Sequence, residues 1–159
     1  MILVLLGTQN NSFHRLLEEI EKLKSKGIIK DKIIVQAGHT KYQSNQMELL
    51  DLIPKEELDK YIHESDIVIT HGGVGSIISA IKENKKTIAV PRLHKYGEHV
   101  NDHQKQIVQM FDKKGYIIGL NDVAELEEAI KKIDIFKPNR YQQNNEKMLN
   151  LIRDFINNL

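Results

Sequence analysis

Chemistry in this chain concentrates in the run Asp66-Ile67-Val68-Ile69-Thr70-His71-Gly72-Gly73-Val74-Gly75-Ser76 and the apolar residues that follow it to Ile81. The apolar and β-branched residues Ile67 to Thr70 read as a strand covered on both faces. Glycines at 72, 73 and 75 then let backbone N–H groups come close to a ligand. A helix starting near Gly75 aims its first N–H groups, and the positive end of its dipole, into the same space. The combination reads as a site for phosphate or diphosphate. Two common nucleotide motifs are absent. A P-loop ends in Gly-Lys-Ser/Thr, and no Lys follows Gly75; the dinucleotide fingerprint needs a further glycine where Ile78 stands. On this run alone, a tight strand-to-helix turn without a ligand stays open.

A second polar stretch runs from Pro91-Arg92 through Gly97-Glu98-His99-Val100-Asn101-Asp102-His103-Gln104. It is long for a connection in a compact domain, which marks a functional loop. Glu98 is expected to lie in an exposed loop and to accept bonds from two vicinal hydroxyls, as a ribose or hexose offers. Asn101, Asp102 and Gln104 add polar groups at a helix start, where Asn101 or Asp102 can also cap. Arg92 or Lys95 could help to stabilise a leaving diphosphate. His99 and His103 stand four apart, with Glu98 and Asp102 beside them. No His-Glu-x-x-His pattern accompanies them and no third ligand is obvious, so no metal is expected. His14, His39 and His63 read as surface residues.

These segments need a scaffold. The chain has 159 residues, 40% of them hydrophobic and 28% charged, with a formal net charge of +1. That fits one globular domain over residues 1–159 and gives no sign of a nucleic-acid surface. There is no cysteine, hence no disulfide or thiolate metal site. No apolar run is long enough to cross a bilayer, and the start lacks the basic flank of a signal peptide, so a cytoplasmic location is expected. Strands are expected at Ile2–Leu6, Ile33–Gln36, Leu49–Ile53, Ile67–Thr70, Thr87–Val90 and Tyr116–Gly119. Helices are expected from Phe13 toward Gly27, Pro54 to Glu64, the glycine turn to Glu83, and Asp102 to Lys113. Another is capped by Asp122, and a final one follows Pro138 over Asn139–Leu159. Such alternation implies a Rossmann-like α/β fold, a parallel sheet with helices on both faces. Ligands in these folds bind beyond the carboxyl ends of the strands. That rule gathers Gly7–Asn11, His71–Ser76 and Arg92–Gln104 in one crevice.

Thr70 to Ser76, then Val90-Pro91-Arg92, then Gly97 to Gln104, resemble the donor-binding half of the GT-B glycosyltransferases. More narrowly they resemble glycosyltransferase family 28, C-terminal domain. The opening Val4-Leu5-Leu6-Gly7-Thr8-Gln9, followed by Phe13, is similar to the small, separately encoded members of that family. Those are the catalytic subunit that adds the second N-acetylglucosamine to dolichol diphosphate, and bacterial counterparts in capsule and exopolysaccharide synthesis. The resemblance runs from Met1 to about Gly119, and more loosely beyond. Lys85-Lys86-Thr87 departs from the Gly-Lys-Pro that many relatives carry.

The resemblance implies an inverting, metal-independent transferase of hexose from a UDP-sugar, with no cofactor. By it, Gly73, Gly75 and Ser76 hold the donor diphosphate with His71 nearby. Thr8 and Gln9 close the pocket from the first strand. Glu98 holds the ribose or sugar, while Asp102 and Gln104 face the sugar. Gly7, Gly72, Arg92 and Asn101, which lie in the same segments, are also expected to bind substrate. The chain around Leu52–Pro54 meets the uracil. A GT-B enzyme needs two halves, and this length holds one. The acceptor half is therefore expected on a separate, membrane-associated subunit, which presents a polyprenyl-diphosphate-linked saccharide and holds this chain at the inner face of the membrane. A homodimer is also open. The apolar stripe of the final helix reads as packing on its own sheet, with docking on the partner as the alternative. The residues leave the catalytic base unassigned. The competing functions are a non-catalytic nucleotide-sugar module that regulates a partner, and a nucleotide-sugar epimerase, which would need both halves.

Overall fold

Short β-branched runs with side chains alternating between two faces build the sheet. The structure is a computed structural model and describes residues 1–141, 150 and 152–154. Its strands are β1 (Ile2–Leu5), β2 (Ile33–Gln36), β3 (Glu48–Leu50), β4 (Ile67–His71), β5 (Lys86–Val90) and β6 (Ile118–Gly119). All pair in parallel, in the order β3-β2-β1-β4-β5-β6. The helices are α1 (His14–Ser25), α2 (Lys55–Glu64), α3 (Val74–Lys82), α4 (His103–Lys113) and α5 (Leu126–Lys132).

Ile2, Val4 and Leu6 point to one face, into a cluster with Leu16, Leu17 and Ile20 of α1 and Leu126 and Ala129 of α5. Leu3 and Leu5 point to the other, against Ile62 of α2 and Ala80 of α3. Ala89, Ile77 and Ile81 pack with Ile107, Val108 and Phe111 of α4 in a third cluster. The expected Rossmann-like sheet with both faces covered is what the chain forms. Strand order reverses direction between β1 and β4, and in such sheets the crevice opens at that switch point.

Several elements differ from the sequence reading. β3 ends at Leu50 rather than Ile53, because Leu50 carbonyl takes the Ala37 N–H at 2.7 Å and the chain then turns to set Pro54 before α2. β6 is only Ile118–Gly119, since Tyr116 and Ile117 are drawn into the α4 cluster. Asp122 caps a 3-10 turn over Val123–Glu125, accepting the Ala124 N–H at 3.2 Å, and α5 begins after it. No helix starts at Asn139. Its N–H is held by Gly115 carbonyl and its side chain by Lys114 carbonyl, both at 2.8 Å. Tyr141 then packs edge-on to Tyr116. Most of the expected final helix lies outside the described residues. Of the described part, Ile152 is buried in the α4 cluster, which accords with packing on its own domain.

Candidate functional site

The glycine turn sits where the order reverses. α3 begins at Val74 after Gly73, with no side-chain cap. The first N–H groups of a helix have no intrahelical partner, so they open toward the crevice together with the helix dipole. Gly75 lies in this first turn, exposed, and a Cβ built on it meets nothing within 4 Å. Neither packing nor backbone conformation requires a glycine there.

The other glycines answer to the protein itself. The His71 ring is held between Gly7 and Gly73. A Cβ on Gly73 would come within 2.5 Å of its Cε1, and one on Gly7, already at φ +77°, would overlap the ring. Gly7 is fixed by Gln36 of β2, which accepts its N–H and donates to its carbonyl, each at 3.1 Å. Gly72 abuts Gln104 and Val108 of α4, where a Cβ would lie 2.8 Å from the Gln104 Cβ.

Gln104 is buried and ties three segments. Its Oε1 accepts the N–H groups of Gly72 and Arg92 at 3.0 Å, and its Nε2 lies 3.1 Å from His71 Nδ1. His71 Nε2 lies 3.2 Å from Ser76 Oγ. Burial pushes the His71 imidazole down to about 3, and the Arg92 charge acts the same way.

A stability prediction follows. Below its ordinary 6.5, the unfolded histidine takes up a proton that the folded one refuses until about 3. The unfolded state then binds more protons, so stability falls as pH drops through that window, by up to about 1.4 kcal/mol per pH unit from this group. Urea denaturation at about pH 7 and about pH 5 is expected to show the drop, with a smaller one in His71→Gln; equal slopes in both proteins would contradict it.

Three expected ligand residues make their side-chain contacts within the protein. Arg92 is 1% exposed; it donates to the carbonyls of Leu6, Asn11 and Glu98 at 2.6, 2.7 and 3.1 Å and stacks over Phe13. Burial pushes its guanidinium down to about 10, with Glu98 opposing, so it stays a cation at neutral pH. Glu98 is 3% exposed, not in an open loop. Its Oε2 accepts Arg15 Nε and its Oε1 accepts Arg15 Nη2 and the Leu93 N–H, all at 3.0 Å. Gln104 is occupied as described. A buried charged or amide group must find partners inside the protein; Glu98 and Gln104 have found them, and Arg92 has found them at both terminal nitrogens, its Nε being buried without one.

The remaining residues lie around the turn in different degrees of exposure. Thr8 and Asp102 are exposed, Gln9 and Asn101 half-buried. Asp102 accepts the His94 N–H at 2.8 Å. Asn101 accepts the His103 N–H at 3.0 Å, so it, and not Asp102, makes the side-chain cap of α4. The Gln9 amide lies 2.9 Å from His99 Nε2, while His99 Nδ1 accepts the Asn101 N–H. Both nitrogens of His99 are thus engaged, and among the described residues no three His, Asp or Glu form a group able to hold a metal.

Sequence reasoning missed Arg15 and Gln36, and named Asn11 only as the end of the first loop, with no role. Arg15 also binds Asp122 at 2.9 Å and lies 4.1 Å from the Tyr96 ring centre, and Asn11 donates to Gly97 carbonyl at 3.0 Å. Gln36, a polar residue closing the apolar run Ile33–Val35, carried a readable signal; the other two carried none. A concavity of about 850 Å³ beside α4 and β6 shares none of its lining residues with this site, and along it Asp112 and Gln109 are bonded to Gly119 N–H and Asn121.

A family model described as glycosyltransferase family 28 C-terminal domain matches residues 1–159. The chain is 28% identical over 109 residues to UDP-N-acetylglucosamine transferase subunit ALG13 of Candida albicans, covering 69% of this chain and 36% of that protein. It is 39% identical over 77 residues to the subunit of the same name from Candida glabrata, covering 48% and 35%. The chain thus spans about a third of the length of these curated relatives. Among solved structures, the solution structure of ALG13 shares the fold at TM-score 0.63 and 16% identity, covering 94% of this chain and 93% of that one. The crystal structure of Acinetobacter baumannii MurG does so at TM-score 0.53 and 15% identity, covering 83% and 40%.

Proposed function

The chain belongs to the glycosyltransferase family 28 C-terminal domain family, and on that premise we propose that it is the donor-binding subunit of a UDP-sugar transferase. The observation that carries the reading is the uncapped start of α3 at the switch point, with Gly75 open in front of it and Ser76 in its first turn. Donor diphosphate lies against these N–H groups, and the negative charge that develops as the sugar leaves is stabilised by them, by the dipole and by the Ser76 hydroxyl, with no metal needed. Uridine extends toward Leu52–Pro54 at the end of β3. Thr8, Gln9 and Asp102 border the sugar. Arg92, Glu98 and Gln104 act on it at one remove, by holding the loops that line the crevice.

The acceptor is a polyprenyl-diphosphate-linked saccharide, presented by a membrane-associated second subunit that also supplies the base and brings this chain to the inner face of the membrane. Relatives named as N-acetylglucosamine transferase subunits favour that sugar, and lipid-linked oligosaccharide rather than capsule or exopolysaccharide as the product.

Calorimetry with UDP, GDP and ADP tests the site, and Gly75→Ala sharpens the test. Ala adds a methyl group where only ligand approaches, so UDP affinity should fall at least tenfold, about 1.4 kcal/mol. Folding stability should be unchanged or rise by up to about 1 kcal/mol, because Ala is the better helix former. Equal binding of the three nucleotides, or full UDP affinity in the variant, would count against the reading.

A further inference from the structure

We propose that Gln104 is a positioning residue: anchored on two backbone N–H groups, it fixes the proton of His71 on Nε2 and so turns the Ser76 hydroxyl outward as a donor to bound diphosphate. The inference rests on the reading of the glycine turn as the diphosphate subsite.

The direction of each bond can be worked out. The Gln104 amide oxygen faces two N–H donors, Gly72 and Arg92, each at 3.0 Å. Turning the amide over would set its NH2 group against both, leaving buried donors without acceptors, so the orientation is fixed. The NH2 group then faces His71 Nδ1 at 3.1 Å. An amide NH2 only donates, so Nδ1 holds a lone pair and the neutral ring carries its proton on Nε2. Nε2–H in turn donates to Ser76 Oγ at 3.2 Å. A serine hydroxyl has one hydrogen. With its oxygen accepting from His71, that hydrogen is free for an acceptor in the crevice, and no acceptor among the described residues takes it.

The ring cannot escape this arrangement by rotating, because the backbones of Gly7 and Gly73 hold it on both sides. Its charged or titratable neighbours, Arg92 and His99, both oppose a second proton, which keeps it neutral. With the opposite tautomer the Ser76 hydrogen would point inward to Nε2, and an oxygen lone pair would face the anion. One buried amide thus decides whether the crevice offers a donor or an acceptor at this place.

The test has three parts, read with inorganic diphosphate as the probe. Side-chain nitrogen NMR of the wild-type protein should show Nε2 protonated and Nδ1 bare in His71 between about pH 5 and 8, where an ordinary histidine changes charge. Ser76→Ala should bind diphosphate roughly ten- to a hundredfold more weakly, as for loss of a hydrogen bond to a charged group. Gln104→Glu introduces a carboxylate that can still accept both backbone N–H groups but donates to Nδ1 only while it holds a proton. As pH rises and that proton leaves, the ring proton must move to Nδ1. Affinity should then fall relative to wild type, toward that of Ser76→Ala. A merely structural role would lower it by the same factor at every pH. An Nδ1–H tautomer or an ordinary titration of His71 in the wild type, or a pH-independent loss in Gln104→Glu, would overturn the proposal. Should Gln104→Glu fail to fold, the wild-type spectrum and Ser76→Ala decide. Diphosphate binding without any preference for uridine would sink the transferase reading and leave this one standing.

Discussion

Glu98→Ala is expected to lower folding stability by about 3 kcal/mol, the lower end of what breaking a buried ion pair costs. Both carboxylate oxygens are in use, on Arg15 Nε and Nη2 and on the Leu93 N–H. Removing the carboxylate strands the buried Leu93 N–H and leaves Arg15 short of its main counter-charge. Arg15 keeps Asp122, the Tyr96 face and some water, its side chain being 19% exposed, which is why the upper end is not expected. Glu98→Gln should lose about 1.5–3 kcal/mol, the value of hydrogen bonds to charged groups. Arg15→Met should be non-additive with Glu98→Ala, since the two residues share one interaction. Urea denaturation at neutral pH reads all of these. A Glu98→Ala protein as stable as wild type, with lowered UDP affinity only, would return the residue to direct ligand contact.

Transfer of sugar to a lipid-linked acceptor is expected to need a second polypeptide. On the reading proposed above, this chain carries the donor site and the acceptor comes from a second subunit. Among the described residues, the exposed large apolar side chains include Leu52, Tyr96 and Val100, which follow the carboxyl ends of β3 and β5. His71 is no base for the acceptor hydroxyl, because one ring nitrogen is protonated and the other is bonded to Gln104. Assayed alone with labelled UDP-sugar and lipid extract, the chain should transfer at background. With the second subunit proposed above the rate should rise by well over a hundredfold, since correct placement of two reactants accounts for about 7–11 kcal/mol of a barrier. Full activity from the chain alone would defeat the half-enzyme reading. Asp102, exposed beside the turn, would then be the first residue to replace in a search for a base.

What the sequence settled by itself was local. Runs such as Ile67–Thr70 and Ile33–Val35 are too apolar and β-branched to be anything but covered strands, and glycines and prolines mark where they stop. From these the parallel sheet and the turn before α3 could both be read. The sequence also assigned Gly7–Asn11, His71–Ser76 and Arg92–Gln104 to one end of the sheet, and hydrogen bonds from Gly72 and Arg92 to Gln104 and from Asn11 to Gly97 bring these segments together. It could not tell which polar residues in those loops face a ligand and which face each other. Glu98 meets Arg15 across 83 positions, Gln104 meets Gly72 across 32, and Asn11 meets Gly97 across 86. A carboxylate that binds a sugar and one that locks a buried arginine have the same letter and the same neighbours in the chain. Gly75 and Gly73 likewise look alike in sequence, yet one has open space at its Cβ position and the other an imidazole. Those distinctions depend on partners brought together by the fold, so only the tertiary structure decided them.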